Sequence, residues 1–186
     1  TEEPRRYGFH ATLKAPFELA DGRSEEQLRA FARNHAAGLD AVELTGLSVT
    51  ALGSFVALTP SEPSEALQRL AFATVQAFEL FRAPLSEADK ARRLKSPLTP
   101  AQHAYLEAYG YPYVGDAFRF HMTLSGRVAS QESPRLRAAI DSLFTEVQLR
   151  PVPVDALTLF VETEPGAPFM VLSHHALGRR AARKTA

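Results

Sequence analysis

Apolar and polar side chains alternate over residues 6–19, a period of two that predicts a strand with Pro16 at a break or edge. After the Asp21-Gly22 turn, Ser24 followed by Glu25, Glu26 and Gln27 has the pattern of a capping box. Leu28, Phe31, Ala32 and Leu39 then carry a helical stripe towards Gly38. Residues 42–50 and 55–59, hinged at Leu52-Gly53-Ser54, predict a hairpin. Ser64 opens a second helix, in which Leu67, Leu70, Ala71, Thr74, Val75, Phe78 and Phe81 recur at the spacing of a buried face; Pro84 ends it. Residues 85–113 read as helical pieces broken at Pro97, Pro100 and Pro112, with Thr99 as an N-cap and Pro100 at the first helical position. Residues 117–128 return to strand, and Ser133-Pro134 starts a third long helix through Ile140 and Phe144. Residues 152–163 and 169–177 close the chain as a strand pair around Glu164-Pro165-Gly166.

The order strand, helix, hairpin occurs at 6–59 and again at 117–177. That repetition predicts an α+β protein of two pseudo-symmetric lobes, each a small antiparallel sheet backed by helices, with a central groove. The expected organisation is one bilobal domain over 1–178: a first lobe at about 1–84, a helical insert at about 85–114 and a second lobe at about 115–178. A basic tail follows at 179–186, with Arg179, Arg180, Arg183 and Lys184 read as a solvated end.

Composition narrows the function. The 186 residues carry 21 basic and 21 acidic side chains, and this neutrality argues against a protein that holds long nucleic acid by charge. With no cysteine there is no disulfide framework, thiol nucleophile or thiolate-bound zinc. The apolar runs are short; the one at 117–124 is broken by Arg119 and His121, far from the ~20 residues of a membrane span. A cytoplasmic, monomeric protein is the expectation. The chain opens on Thr1 with no leader-like pattern, and a preceding segment is expected.

Each repeated first strand contains the same tetrad, His10-Ala11-Thr12-Leu13 and His121-Met122-Thr123-Leu124. Side chains at i, i+2 and i+4 of a strand share a face, so Gly8, His10, Thr12 and Lys14 are expected on one side of the first strand, and Arg119, His121, Thr123 and Ser125 on one side of the second. The opposite rows are apolar and suit packing against helices. The polar rows are poor core material. Brought together, two imidazoles, two hydroxyls and a nearby Lys14 or Arg119 suit an anionic phosphodiester. One histidine takes a proton and the other gives one, the threonines donate to non-bridging oxygens, and a cation offsets charge in the transition state. No metal or cofactor is needed for this.

The pattern resembles the two-histidine (2H) phosphoesterase superfamily, whose members carry one His-x-Thr or His-x-Ser motif per lobe. The flanks, Arg6-Tyr7-Gly8-Phe9 before the first tetrad and Phe118-Arg119-Phe120 before the second, look like the DUF1045, phosphonate-metabolism-associated branch of bacterial proteins. For the superfamily the resemblance implies opening of a cyclic phosphodiester of ribose or a nucleoside, with His121 as base and His10 as acid. For the branch it implies a place in phosphonate catabolism. Family members have a strand before the first motif, which here begins at residue 10.

Thr12, Thr123, Lys14, Arg119 and Ser125 are the expected phosphate-binding set. Tyr7, Tyr111 and Tyr113 are candidates to stack on a base or sugar, against the ordinary packing role of aromatics. Arg92, Arg93 and Lys95 form a basic knot, read as a solvated helix end or a second phosphate grip. His174-His175 point to opposite strand faces and do not jointly hold a metal; His35 and His103 read as structural or surface residues. The expected partner is a small phosphorylated substrate, with no membrane and no long nucleic acid. The alternatives are a non-catalytic module for nucleotides, cyclic phosphates or RNA ends, and an RNA 2',5'-ligase or phosphodiesterase.

Overall fold

The computed structural model describes residues 5–148 and 150–178, so the basic tail lies outside the described residues. Within these residues the α-helices and strands follow in the order α1 (Glu25–Ala37), β1 (Val42–Leu44), β2 (Leu47–Leu52), β3 (Phe55–Pro60), α2 (Glu65–Ala77), α3 (Glu87–Arg93), α4 (Pro100–Tyr109), β4 (Met122–Thr123), α5 (Ser133–Gln148), β5 (Val152–Val154), β6 (Ala156–Val161) and β7 (Met170–Ala176). The protein is α+β with small antiparallel sheets, as the pattern of periods predicts. The chain divides into two compact units. Of the described residues, the first comprises 5–12, Ala32–Ser64, 120–148 and 150–178, and the second Leu13–Phe31 and Glu65–Arg119. Both tetrads therefore have their histidine and threonine in the first unit, where one in each of two symmetric lobes was expected.

In the first unit β2, β3 and β4 form one antiparallel sheet, β1 pairs with β5, and β6 with β7. Val49, Val56, Ala57 and Leu58 are buried in the first of these sheets, and α5 packs on β2 and β3. The hairpin at 42–59 is shorter than expected. Its first strand breaks at Thr45-Gly46, and β1 leaves to pair Val42 with Val154 and Leu44 with Val152.

Two other expected strands are corrected. Over 6–19 only single bridges form, Ala11 to Met122 and Leu19 to Arg82. Gly8 takes a left-handed φ of 67° near the start, and Pro16 has no N–H to give a ladder. The strand expected at 117–128 is regular only at Met122–Thr123. Beyond it Leu124 and Ser125 both donate to the Val56 carbonyl, at 2.9 and 3.2 Å, so two residues oppose one in the manner of a β-bulge.

The second unit is built on helices. The expected face of α2 is buried, and Phe78 and Phe81 extend it through a 3-10 turn. Phe31 meets both rings at 5.2 Å. Burying each side chain of this size contributes about 1.5–3 kcal/mol before entropy is counted. α4 begins with the capping box Thr99 and Gln102, has Pro100 in its first turn, and ends at Gly110 with φ 67°. The Ser24 box is equally complete: the Gln27 N–H donates to Ser24 Oγ at 3.2 Å, and the Ser24 N–H to Gln27 Oε1 at 3.0 Å. No described helix is long and apolar enough to cross a membrane.

Candidate functional site

The Ala11 to Met122 bridge sets the register of the two tetrads. Ala11 and Met122 lie opposite each other on one face. Their neighbours His10, Thr12, His121 and Thr123 therefore turn to the other, with His10 across from Thr123 and Thr12 across from His121. Directly opposite side chains in such a pair have Cβ atoms about 5 Å apart. β3 anchors the arrangement from the far side, pairing Leu58 with Met122 and Ala57 with Thr123.

Each imidazole rests against a phenylalanine. His10 meets Phe160 at 5.5 Å and 47°, and His121 meets Phe55 at 5.7 Å and 47°. Phe55 opens β3 and Phe160 lies in β6, where the register shifts at a bulge. His10 Nδ1 lies 3.2 Å from the Gly8 carbonyl, which only accepts, so this nitrogen carries a proton. Its Nε2, 3.0 Å from Thr12 Oγ1, then accepts from the hydroxyl when the ring is neutral and donates when it is charged. The face thus offers hydroxyl and imidazole groups as hydrogen-bonding partners for an anion.

The arm that carries His10 is clamped chiefly by Arg6 and Glu162, neither of them among the expected site residues. Arg6 Nε donates to the Ala167 carbonyl at 2.8 Å, and Arg6 pairs with Glu162, while the Phe169 N–H donates to the Arg6 carbonyl at 2.9 Å. The Arg6 guanidinium lies 5.4 Å from both the Tyr7 and Phe169 ring centres; those rings stack at 5.0 Å. Tyr7 lies 6.1 Å from the His10 ring. Arg6 and Glu162 are separated by 156 positions in sequence, so no local spacing announces the pair.

Other expected site residues are engaged elsewhere. Lys14 belongs to the second unit, where its Nζ pairs with Glu79 and donates to the Val75 carbonyl at 3.3 Å. Burial pushes its pKa down from the usual lysine range, against the upward pull of Glu79. It leaves the expected polar row because the strand does not continue past the bridge. Ser125 is 4% exposed: its Oγ accepts from the Val56 N–H at 2.9 Å and donates to the Gly126 carbonyl at 2.9 Å. Arg119, Tyr111 and Tyr113 fall in the second unit. His174 and His175 do separate as expected, His174 to Thr158 at 2.8 Å and His175 to Ser173 at 2.9 Å. Among the described residues no group of three His, Cys, Asp or Glu side chains is placed to hold a metal.

Fold and site together define an α+β protein with a paired His-x-Thr face at the meeting of two chain segments. The chain belongs to the family described as "Protein of unknown function (DUF1045)", whose pattern matches residues 12–170. It is 40% identical over 174 residues to a protein of Janthinobacterium sp. (strain Marseille), covering 91% of this chain and 38% of that one. A protein of Laribacter hongkongensis (strain HLHK9) is 35% identical over 164 residues, 88% of this chain and 38% of that one. Both are named ribose 1,5-bisphosphate phosphokinase PhnN. The chain thus spans well under half the length of these relatives. Their names correct the expectation of cyclic phosphodiester hydrolysis, because a phosphokinase transfers a phosphoryl group and does not open a cyclic diester.

Proposed function

We propose that this chain is a domain that holds a phosphorylated ribose for an enzyme of phosphoryl transfer, with a phosphate of the sugar on the face of His10, Thr12, His121 and Thr123. The observation that carries the reading is the Ala11 to Met122 bridge, from which the shared face of these four side chains follows. Imidazole N–H groups and threonine hydroxyls suit the non-bridging oxygens of a phosphate, and each hydrogen bond to a charged acceptor contributes about 1.5–3 kcal/mol. Phe160 and Phe55 pack against the His10 and His121 rings, which reduces the side-chain freedom lost on binding. The ribose comes from the names of the two relatives. Because the chain matches 38% of each, the reading for this chain is confined to the sugar phosphate. The paired tetrads also extend the likeness to two-histidine phosphoesterases as a shared layout of the site.

Calorimetric titration with ribose 5-phosphate and ribose 1,5-bisphosphate tests this. His10→Ala and His121→Ala are each expected to weaken binding about tenfold or more, and Thr12→Val and Thr123→Val about tenfold, from the loss of one charge-assisted hydrogen bond. Unchanged affinity in a folded His10→Ala, His121→Ala double variant refutes the proposal.

A further inference from the structure

Arg93 is distinguished from the other cations of its helix by what it lacks. Lys90 pairs with Glu107 at 2.6 Å, and Arg92 with Asp89 at 2.6 Å. Arg82, the other guanidinium close enough to influence Arg93, is held by Glu79 at 2.8 Å. Among the described residues Arg93 has no carboxylate within ion-pair distance, and its Nε is buried without a hydrogen-bond partner. Its guanidinium lies 5.0 Å from the centre of the Tyr111 ring. Tyr111 in turn meets Tyr113 edge to face at 5.5 Å and 76°, and Tyr113 is 42% exposed. Pro112, buried between the two tyrosines, restricts the backbone that presents them.

A half-buried cation over an aromatic ring recovers part of its lost hydration, and the nearby Asp89 carboxylate, already paired with Arg92, acts on Arg93 only from beyond ion-pair distance. The exposed Tyr113 ring beside it offers a stacking surface, and Lys95 adds an exposed positive charge two residues further on. Anion and planar ring are thus both called for at Arg93 and the edge-to-face tyrosine pair next to it. One guanidinium and one open ring match a single base and its phosphates; a strand of nucleic acid would want the extended basic footprint that a neutral chain lacks.

We propose that Arg93, Tyr111 and Tyr113 form a binding site for a nucleoside polyphosphate, its phosphates on Arg93 and its base on Tyr113. The site uses residues of the second unit alone, and the proposal is independent of the ribose-phosphate reading.

Calorimetric titration of the chain with ADP, adenosine and inorganic phosphate tests it. ADP is expected to bind saturably and at least tenfold more tightly than either fragment. Arg93→Gln weakens ADP at least tenfold, Arg93→Lys restores part of the loss, and Tyr113→Ala weakens ADP about fivefold or more while Tyr113→Phe does not. ADP affinity stays within twofold when the protein is saturated with ribose 5-phosphate. Circular dichroism checks that each variant is folded; Tyr113→Phe and Arg93→Lys keep the test informative if a harsher variant is not. No ADP binding overturns the proposal, as does inorganic phosphate binding as tightly as ADP, an unaltered affinity in folded Tyr113→Ala, or displacement of ADP by ribose 5-phosphate.

Discussion

Replacing Ser125 with alanine separates a structural hydroxyl from a ligand-binding one. In the folded protein Ser125 Oγ accepts from the Val56 N–H and donates to the Gly126 carbonyl, both at 2.9 Å, at the point where the chain leaves its ladder after Thr123. The side chain is 4% exposed, so water does not readily take its place beside Val56, itself fully buried. Alanine leaves that N–H buried and unpaired, at a cost of about 1–3 kcal/mol. For a chain of this length each kcal/mol moves the unfolding midpoint by about 2–4 °C, so Ser125→Ala is expected to lower it by about 2–12 °C. Differential scanning calorimetry reads the shift, and titration with ribose 5-phosphate reads the site. The reasoning fails if the midpoint is unchanged. It also fails if affinity falls as far as in His121→Ala while stability is kept, since Ser125 would then act on the ligand.

Gly178→Ala is expected to destabilise the first unit by about 1–3 kcal/mol, because an added Cβ would stand 1.8 Å from the Ala37 carbonyl oxygen that closes α1; a urea midpoint equal to that of the parent protein refutes it. A pH effect is expected at His35, whose pKa burial lowers from 6.5. Its folded form binds protons less readily than the unfolded chain, so the neutral ring's contribution is complete above pH 6.5 and is lost as pH falls through the lower folded value. Urea unfolding at pH 7.5 and 5 is expected to show a smaller acid loss for His35→Gln than for the parent, and equal losses contradict the argument.

Much of the local structure is legible in the sequence because its causes are local. Ser24 with Gln27, and Thr99 with Gln102, set helix starts through hydrogen bonds three residues apart. The buried face of α2 follows from its repeat of three and four. The paired tetrads are equally plain, and their shared polar face needed only a period of two and one bridge. Lys14 shows the limit of that reasoning. Counting by twos placed it beside Thr12, but the count holds only while the strand lasts, and the carboxylate that takes Lys14 is Glu79, 65 residues away.

The sequence by itself determined where helices begin, which of their faces are apolar, and which two short segments carry paired imidazoles and hydroxyls. Those properties arise from bonds and side-chain periods within a few residues. Tertiary structure alone decided that β1 pairs with β5, that two residues oppose Val56, that Ser125 and Lys14 are engaged away from the candidate face, and that Arg6 and Glu162 clamp the His10 arm. Each of those outcomes depends on a partner far along the chain, and a backbone edge or buried charge accepts whichever distant group the packing brings to it.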